Sequence, residues 1–190
     1  ATQAGNGGTV AVWSDDATRV YGSISARGGA ASGNGGSVET SGHYLDMQGS
    51  VDTRAPQGST GMLLLDPTNV YIASSQTNAT AAGMSGTDVT STPPFTPSGS
   101  VQDSLVLTGT MEGYLATTSV TVQTANGSGT GTGFIRVVDP VTWSSASQLS
   151  LKADNGIAID GAITGGTGSW LGLRAFAGNI TQTAPIAVTN

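Results

Sequence analysis

Gly5-Asn6-Gly7-Gly8-Thr9-Val10 returns 28 residues later as Gly33-Asn34-Gly35-Gly36-Ser37-Val38. Gly22-Ser23-Ile24-Ser25-Ala26-Arg27 returns as Gly49-Ser50-Val51-Asp52-Thr53-Arg54, at an offset of 27. A near-constant spacing in which glycine turns and short alternating strands keep their places is the mark of stacked repeats. Each repeat is too small to bury its own apolar face and closes its core only against its neighbours. The expectation is therefore an all-β solenoid.

Moving outward from the repeats, Thr9-Val10-Ala11-Val12-Trp13 and Val20-Tyr21-Gly22-Ser23-Ile24-Ser25-Ala26 alternate with period two, separated by a turn at Ser14-Asp15-Asp16-Ala17. Ser37-Val38-Glu39-Thr40-Ser41, Tyr44-Leu45-Asp46-Met47 and Val51-Asp52-Thr53 repeat that plan. Met62-Leu63-Leu64-Leu65 and Val70-Tyr71-Ile72 follow, interrupted by Asp66-Pro67. Each strand can pair in parallel with its counterpart one repeat later, about 4.8 Å away. Later, Leu149-Ser150-Leu151-Lys152-Ala153 matches Leu171-Gly172-Leu173-Arg174-Ala175 at the shorter offset of 22. Val120-Thr121-Val122-Gln123-Thr124 and Phe134-Ile135-Arg136-Val137-Val138 read as further strands, joined by a glycine-rich turn.

Two stretches break the pattern. Residues 73–104 are rich in Ser, Thr, Gly and Pro, include Pro93-Pro94-Phe95-Thr96-Pro97, and show no sustained periodicity. They are expected to leave the stack as one extrahelical insertion, because a structureless loop this long is unusual inside a compact domain. Residues 110–116 bring Met111, Tyr114 and Leu115 onto one face and place Thr110 as a cap, which predicts a short helix. Such a helix is marginal alone and is expected to lie on the side or end of the stack.

Composition narrows the function. The chain has 190 residues, 29 of them glycine, only 9% charged, with a net charge of −6 and no cysteine. The six cations are dispersed along the sequence, which argues against a nucleic-acid partner. Without cysteine there is neither a disulfide framework nor a thiolate metal site. No apolar run approaches the length of a membrane span, so the chain is not expected to span a membrane. It begins at Ala1 without a leader pattern and reads as an interior piece of something longer.

Single residues point to little chemistry. The carboxylate pairs Asp46 with Asp52 and Asp154 with Asp160 have the even spacing that a polysaccharide-active enzyme needs on one groove face. All four flank turns, where Asp bonds its own backbone. His43 is the only histidine, so a transition-metal site lacks partners. Asp15-Asp16 lacks the nonapeptide array of calcium-loaded β-rolls. Gly7-Gly8 and Gly35-Gly36 precede strands with no Lys-Ser/Thr after them, which makes them turns rather than phosphate loops. Asn6, Asn34, Asn155 and Asn179 sit beside glycines at equivalent corners, consistent with left-handed positions and with stacking of their side chains. Asn78-Ala79-Thr80, Asn126-Gly127-Ser128 and Asn179-Ile180-Thr181 fit the glycosylation triplet. No catalytic, cofactor or metal residue is expected. The residues expected to meet a partner are Met84, Pro94, Phe95 and Thr96, all in the insertion.

The chain resembles the filamentous-haemagglutinin-like exoproteins of bacterial two-partner secretion. The resemblance rests on Gly8-Thr9-Val10-Ala11-Val12-Trp13-Ser14-Asp15, Tyr21-Gly22-Ser23-Ile24-Ser25-Ala26-Arg27-Gly28-Gly29, Val51-Asp52-Thr53-Arg54-Ala55-Pro56 and Leu63-Leu64-Leu65-Asp66-Pro67-Thr68-Asn69-Val70. It covers everything except residues 73–104. It implies a right-handed parallel β-helix over residues 1–190 as a single unit, secreted to the bacterial surface. The function it implies is attachment to a host-cell or bacterial surface glycan or protein. An outer-membrane transporter would be engaged by parts outside these residues. A purely structural stem for a distal domain and a polysaccharide-active enzyme are the competing readings. The chain is expected to be a monomer.

Overall fold

The computed structural model describes residues 1–85, 103–124 and 132–189. The described residues are mostly β, 45% strand and 8% helix, and their strands pair in parallel throughout. The six-stranded sheet of the first face runs β1 (Thr9–Trp13), β4 (Ser37–Ser41), β7 (Met62–Asp66), β10 (Ser119–Gln123), β13 (Gln148–Ala153) and β16 (Trp170–Ala175) in order. The second face holds β2 (Ala17–Val20) with β5 (Tyr44–Met47), then β9 (Asp103–Leu107), β8 (Asn69–Ala73), β11 (Ile135–Val137), β14 (Ile157–Ile159) and β17 (Ile180–Gln182). The third face holds β3 (Ile24–Ser25) with β6 (Val51–Asp52), and β12 (Val141–Trp143), β15 (Ile163–Gly165) and β18 (Ile186–Val188).

The sequence repeats are the register partners. Thr9 faces Ser37, Ile24 faces Val51 and Leu149 faces Leu171. Alternation then sends one side of every strand inward. Val38, Leu63, Val120 and Leu149 are fully buried in one row, and Leu65, Val122 and Leu151 in the next. Inward residues from all three faces form a single core. The predicted strand at residues 20–26 is two strands, because the chain bends between Val20 and Ile24. Each early repeat therefore has three strands rather than two.

The first left-handed corners belong to glycine, not asparagine. Gly5 and Gly33 have φ of 110° and 111°, and no non-glycine residue described has positive φ. The neighbouring asparagines link the repeats instead. The Asn34 N–H donates to Asn6 Oδ1 at 2.8 Å, and the Ser59 N–H donates to Asn34 Oδ1 at 3.0 Å. At this corner the asparagine side chains of Asn6 and Asn34 accept backbone N–H groups of the next repeat.

Order departs from the repeat only between β7 and β10. After β8 the chain forms α1 (Gln76–Ala81) and returns as β9, which pairs with β8 and packs beside β5. The gap in hydrogen bonding between β5 and β9 is patched by the Ser104 hydroxyl, which accepts the Leu45 N–H at 2.9 Å. Residues 73–104 are thus not wholly irregular: Ala73 closes β8, a helix follows, and Asp103 opens β9. The rest of that expectation, 86–102, lies outside the described residues, as do 125–131 of the predicted glycine-rich turn.

The second helix, α2 (Thr108–Leu115), overlaps the predicted one but starts earlier, with Leu107 rather than Thr110 at its N-cap. Its position also differs from the expectation. It lies neither on the side nor on an end; it fills the third face between β6 and β12, where a strand of that repeat would otherwise sit. Met111, Tyr114 and Leu115 are buried in the main core. The polar groups that a missing strand would have paired are met by the helix and the residues after it. The Tyr114 hydroxyl donates to the carbonyls of Met47 and Gly49, and the Thr117 hydroxyl to that of Val51 at 2.6 Å. On the other side, Glu112 accepts the Thr142 N–H at 2.8 Å.

On the outside of the first face, Asp66 carries an identifiable pH liability. Its Oδ1 is buried with no hydrogen-bond partner among the described residues. Burial, with Glu39 nearby, pushes its pKa up to about 6. The folded chain therefore holds this proton more tightly than the unfolded chain. The stability this contributes is complete below the ordinary value of 3.8 and is lost as pH rises through about 6. Asp66→Asn is expected to stabilise the chain by about 1 to 2 kcal/mol at pH 7.5. The gain should vanish near pH 4 in urea titrations followed by circular dichroism. A gain that is independent of pH would show that the carboxylate charge is not the cause.

Candidate functional site

The second face differs from the others in carrying α1 on its outer surface. Strand β8 reads Asn69-Val70-Tyr71-Ile72-Ala73 and is buried on both sides. Val70 and Ile72 point into the main core, whereas Tyr71 and Ala73 pack outward with Leu105, Ala79 and Met84 in a second small core. Met84, expected to meet a partner, is only 4% exposed and belongs to this cluster. A methionine three residues beyond a helix that must cover an apolar strand is an anchor, not a contact. Pro94, Phe95 and Thr96 lie outside the described residues.

Two side chains from the β11 region hold α1 at its two ends. Asp139 Oδ2 accepts from the Ser74 N–H at 2.7 Å, the Ser74 hydroxyl at 2.8 Å and the Asn78 amide at 2.8 Å. Burial raises the Asp139 pKa, but these donors outweigh it and hold the carboxyl below its ordinary value. At the other end, Arg136 Nη1 donates to the Ala82 carbonyl at 2.7 Å. A carboxylate before the first turn and a guanidinium after the last complement the helix dipole. Arg136 is itself anchored, its Nε donating to Asp160 Oδ2 at 2.7 Å.

A largely buried polar network joins four separate parts of the chain on this face. The Asn69 amide donates to Asp103 Oδ1 at 2.8 Å. Asp103 Oδ2 accepts both the N–H and the hydroxyl of Ser85 at 2.7 Å. Asn69 Oδ1 accepts the N–H of Gly133 at 2.9 Å and of Phe134 at 3.3 Å. Ser85, Asp103 and Gly133 are thereby gathered at one place on the second face. The Asp66-Pro67-Thr68-Asn69 sequence supplies the asparagine at the centre of this knot.

Beside the knot runs an open groove of about 400 Å³. Its floor is one row of register partners, Tyr71, Arg136, Ala158 and Thr181, and its wall includes Phe134 and Asn179. Tyr71 and Phe134 meet edge to face, their centroids 5.2 Å apart. Ala158 and Gly156 make the depression, being the smallest residues in their rows. Burial raises the pKa of the Tyr71 phenol, with Asp103 adding to the rise and Arg136 opposing it, so the phenol is neutral at physiological pH.

Three of the four carboxylates singled out in the sequence, Asp46, Asp52 and Asp160, serve other ends. Asp46 is fully buried and accepts from the Tyr21 hydroxyl at 2.7 Å and the Gln48 amide at 3.0 Å. Its pKa is raised, burial outweighing these bonds. Asp52 pairs with Arg54 and Arg27 at 2.6 and 2.8 Å, and the Arg54 hydrogen bond draws its pKa down to about 2. Asp160 pairs with Arg136 and accepts from the Thr183 hydroxyl at 3.0 Å. Among the described residues no three of His, Cys, Asp and Glu gather as a metal site, and no helix is long and apolar enough to cross a membrane. Sequence reasoning did not find Asn69, Asp103, Arg136 or Asp139 as a group. Their only signal was that polar residues flank strands next to the irregular stretch. No protein-family model and no curated protein matches the chain.

Proposed function

We propose that the chain is a rigid segment of a right-handed parallel β-helix from a secreted, surface-exposed bacterial adhesin, mediating or supporting attachment without catalysis. The observation that carries this reading is the strand order. Three faces of parallel strands are visited repeatedly in one sequence order, with sequence repeats as register partners. Parallel strands joined by crossovers are almost always right-handed, which supports the hand. The resemblance to filamentous-haemagglutinin-like exoproteins supports the surface location and the adhesive role.

The irregular second face supports recognition there over a bare stem. A spacer needs only repetition, whereas this chain builds a helix, a second core and a buried knot at one place on its side. The test is attachment of beads carrying the chain to host epithelial and bacterial cells. A second chain has residues 86–102 replaced by a short Gly-Ser link, keeping Ser85 and Asp103. Attachment that falls severalfold in the shortened chain is the expected result. Equal attachment by two folded chains would place recognition elsewhere, and none by either would leave a purely structural stem.

A further inference from the structure

We infer that the groove on the second face is a binding site for an uncharged saccharide, with Ala158 at its floor and Phe134, Arg136, Asn179 and Thr181 as the contacting residues. The accessible floor crosses three strands, β11, β14 and β17, roughly 10 Å along the stack, with Tyr71 of β8 buried at its closed end. It can therefore take a ligand of about two rings rather than a single small molecule. Its floor is the face of a sheet, not an edge, so a peptide gains no backbone pairing there. Recognition must come from side chains.

Those side chains suit hydroxyl groups on an apolar ring. Phe134 supplies a half-buried aromatic surface, set in place by Tyr71 behind it. Asn179 offers an amide that both donates and accepts, and Thr181 a hydroxyl that does the same. Both residues are exposed. Arg136 sits two residues after Phe134, on β11, with its guanidinium fixed by Asp160 and the Ala82 carbonyl. Two of its five N–H donors are used in those bonds, and its orientation costs no further entropy on binding.

Charge decides the ligand class. Arg136 is the only charged residue lining the groove among the described residues, and Asp160 at 2.7 Å balances it. A carboxylated or sulfated sugar would find no net attraction, and the chain as a whole carries −6. A neutral glycan fits; an acidic one does not.

This assignment deepens the attachment reading, but its test needs only the purified chain. The isotope-labelled protein is titrated with cellotetraose, maltotetraose, lactose and sialyllactose while amide resonances are followed. Saturable shifts at Phe134, Arg136, Ala158, Asn179 and Thr181 with at least one neutral sugar, at a Kd on the order of 1 mM, are expected. Ala158→Arg fills the groove and should abolish those shifts. Asn179→Ala changes only an exposed side chain and should weaken binding severalfold even if the larger residue perturbs folding. Thr164→Arg on the third face should bind as wild type. The inference is overturned by absence of saturable binding to any neutral sugar, by undiminished binding in both groove variants, or by preference for sialyllactose. Cell attachment that survives Ala158→Arg would remove the groove while leaving the adhesive role standing.

Discussion

Gly36→Ala is expected to destabilise the chain by about 3 kcal/mol, whereas Gly8→Ala, at the matching place in the other copy of the motif, should change stability by less than about 0.5 kcal/mol. A Cβ on Gly36 would lie 2.0 Å from the Gly8 carbonyl oxygen and 2.8 Å from the Gly7 carbonyl carbon. Both are backbone atoms of the adjacent repeat, tied by the Ser37 N–H bond to the Gly8 carbonyl at 3.1 Å. They cannot step aside without opening the ladder. A Cβ on Gly8 meets nothing within 4 Å. Urea unfolding of the two variants side by side checks this. Equal midpoints would mean that the close approach of neighbouring repeats does not require glycine at position 36.

Asn69→Ala should cost a similar amount, about 3 kcal/mol, by a different route. The substitution deprives the N–H groups of Gly133 and Phe134 of their acceptor and removes one of the donors to buried Asp103. Buried polar groups left without partners cost far more than the net value of the bonds they made. The effect should also be local. Amide exchange at Gly133, Phe134 and Ser85 is expected to quicken well beyond that of the first three strands, because the three points gathered by the knot are released together. A uniform rise in exchange across the whole chain would show that Asn69 supports only global stability.

The two predictions separate two sources of order. Glycine at the corners sets how closely one repeat approaches the next, and it acts wherever a neighbour is stacked above. The Asn69–Asp103 pair acts once, where the repeat is interrupted. Fixing that point ties Asn69, Ser85, Asp103 and Gly133 together beside the strands of the second face. The same logic covers α2, whose Tyr114 hydroxyl and Thr117 take over carbonyls that an absent strand would have paired.

Much of the framework was legible because register in a stack of parallel strands is one-dimensional. Each copy of a motif can only lie over the next, so the spacings of 28, 27 and 22 residues translate directly into strand partners. The inward rows of Val, Ile and Leu follow from alternation. The interruption was legible as an interruption, but not as what it builds. Residues 76–81 contain Thr, Asn and Thr with no amphipathic stripe. Their helix exists because Tyr71, Ala73 and Leu105 need a cover and because Asp139 and Arg136, over fifty residues later, hold its ends. Met84 was read as a partner contact, but its neighbours are Tyr71 and Ala73 of β8, Leu105 of β9 and Ala79 of α1, and packing between these separate segments is not encoded near Met84.

The sequence alone determined that the chain is mostly β, that its strands recur at nearly constant spacing, and which side chains line the core, since these depend on local periodicity and on repetition. Tertiary structure decided the rest. It placed α2 inside the third face, inserted β9 ahead of β8 in the second, and set Gly36 against the Gly8 carbonyl. It also brought Phe134, Arg136, Ala158 and Asn179 to one groove. The physical reason is that these outcomes depend on which neighbour lies above or beside a residue. Where the repeat is broken, that neighbour is chosen by hydrogen-bond satisfaction and packing between segments far apart in the chain, and no local pattern encodes it.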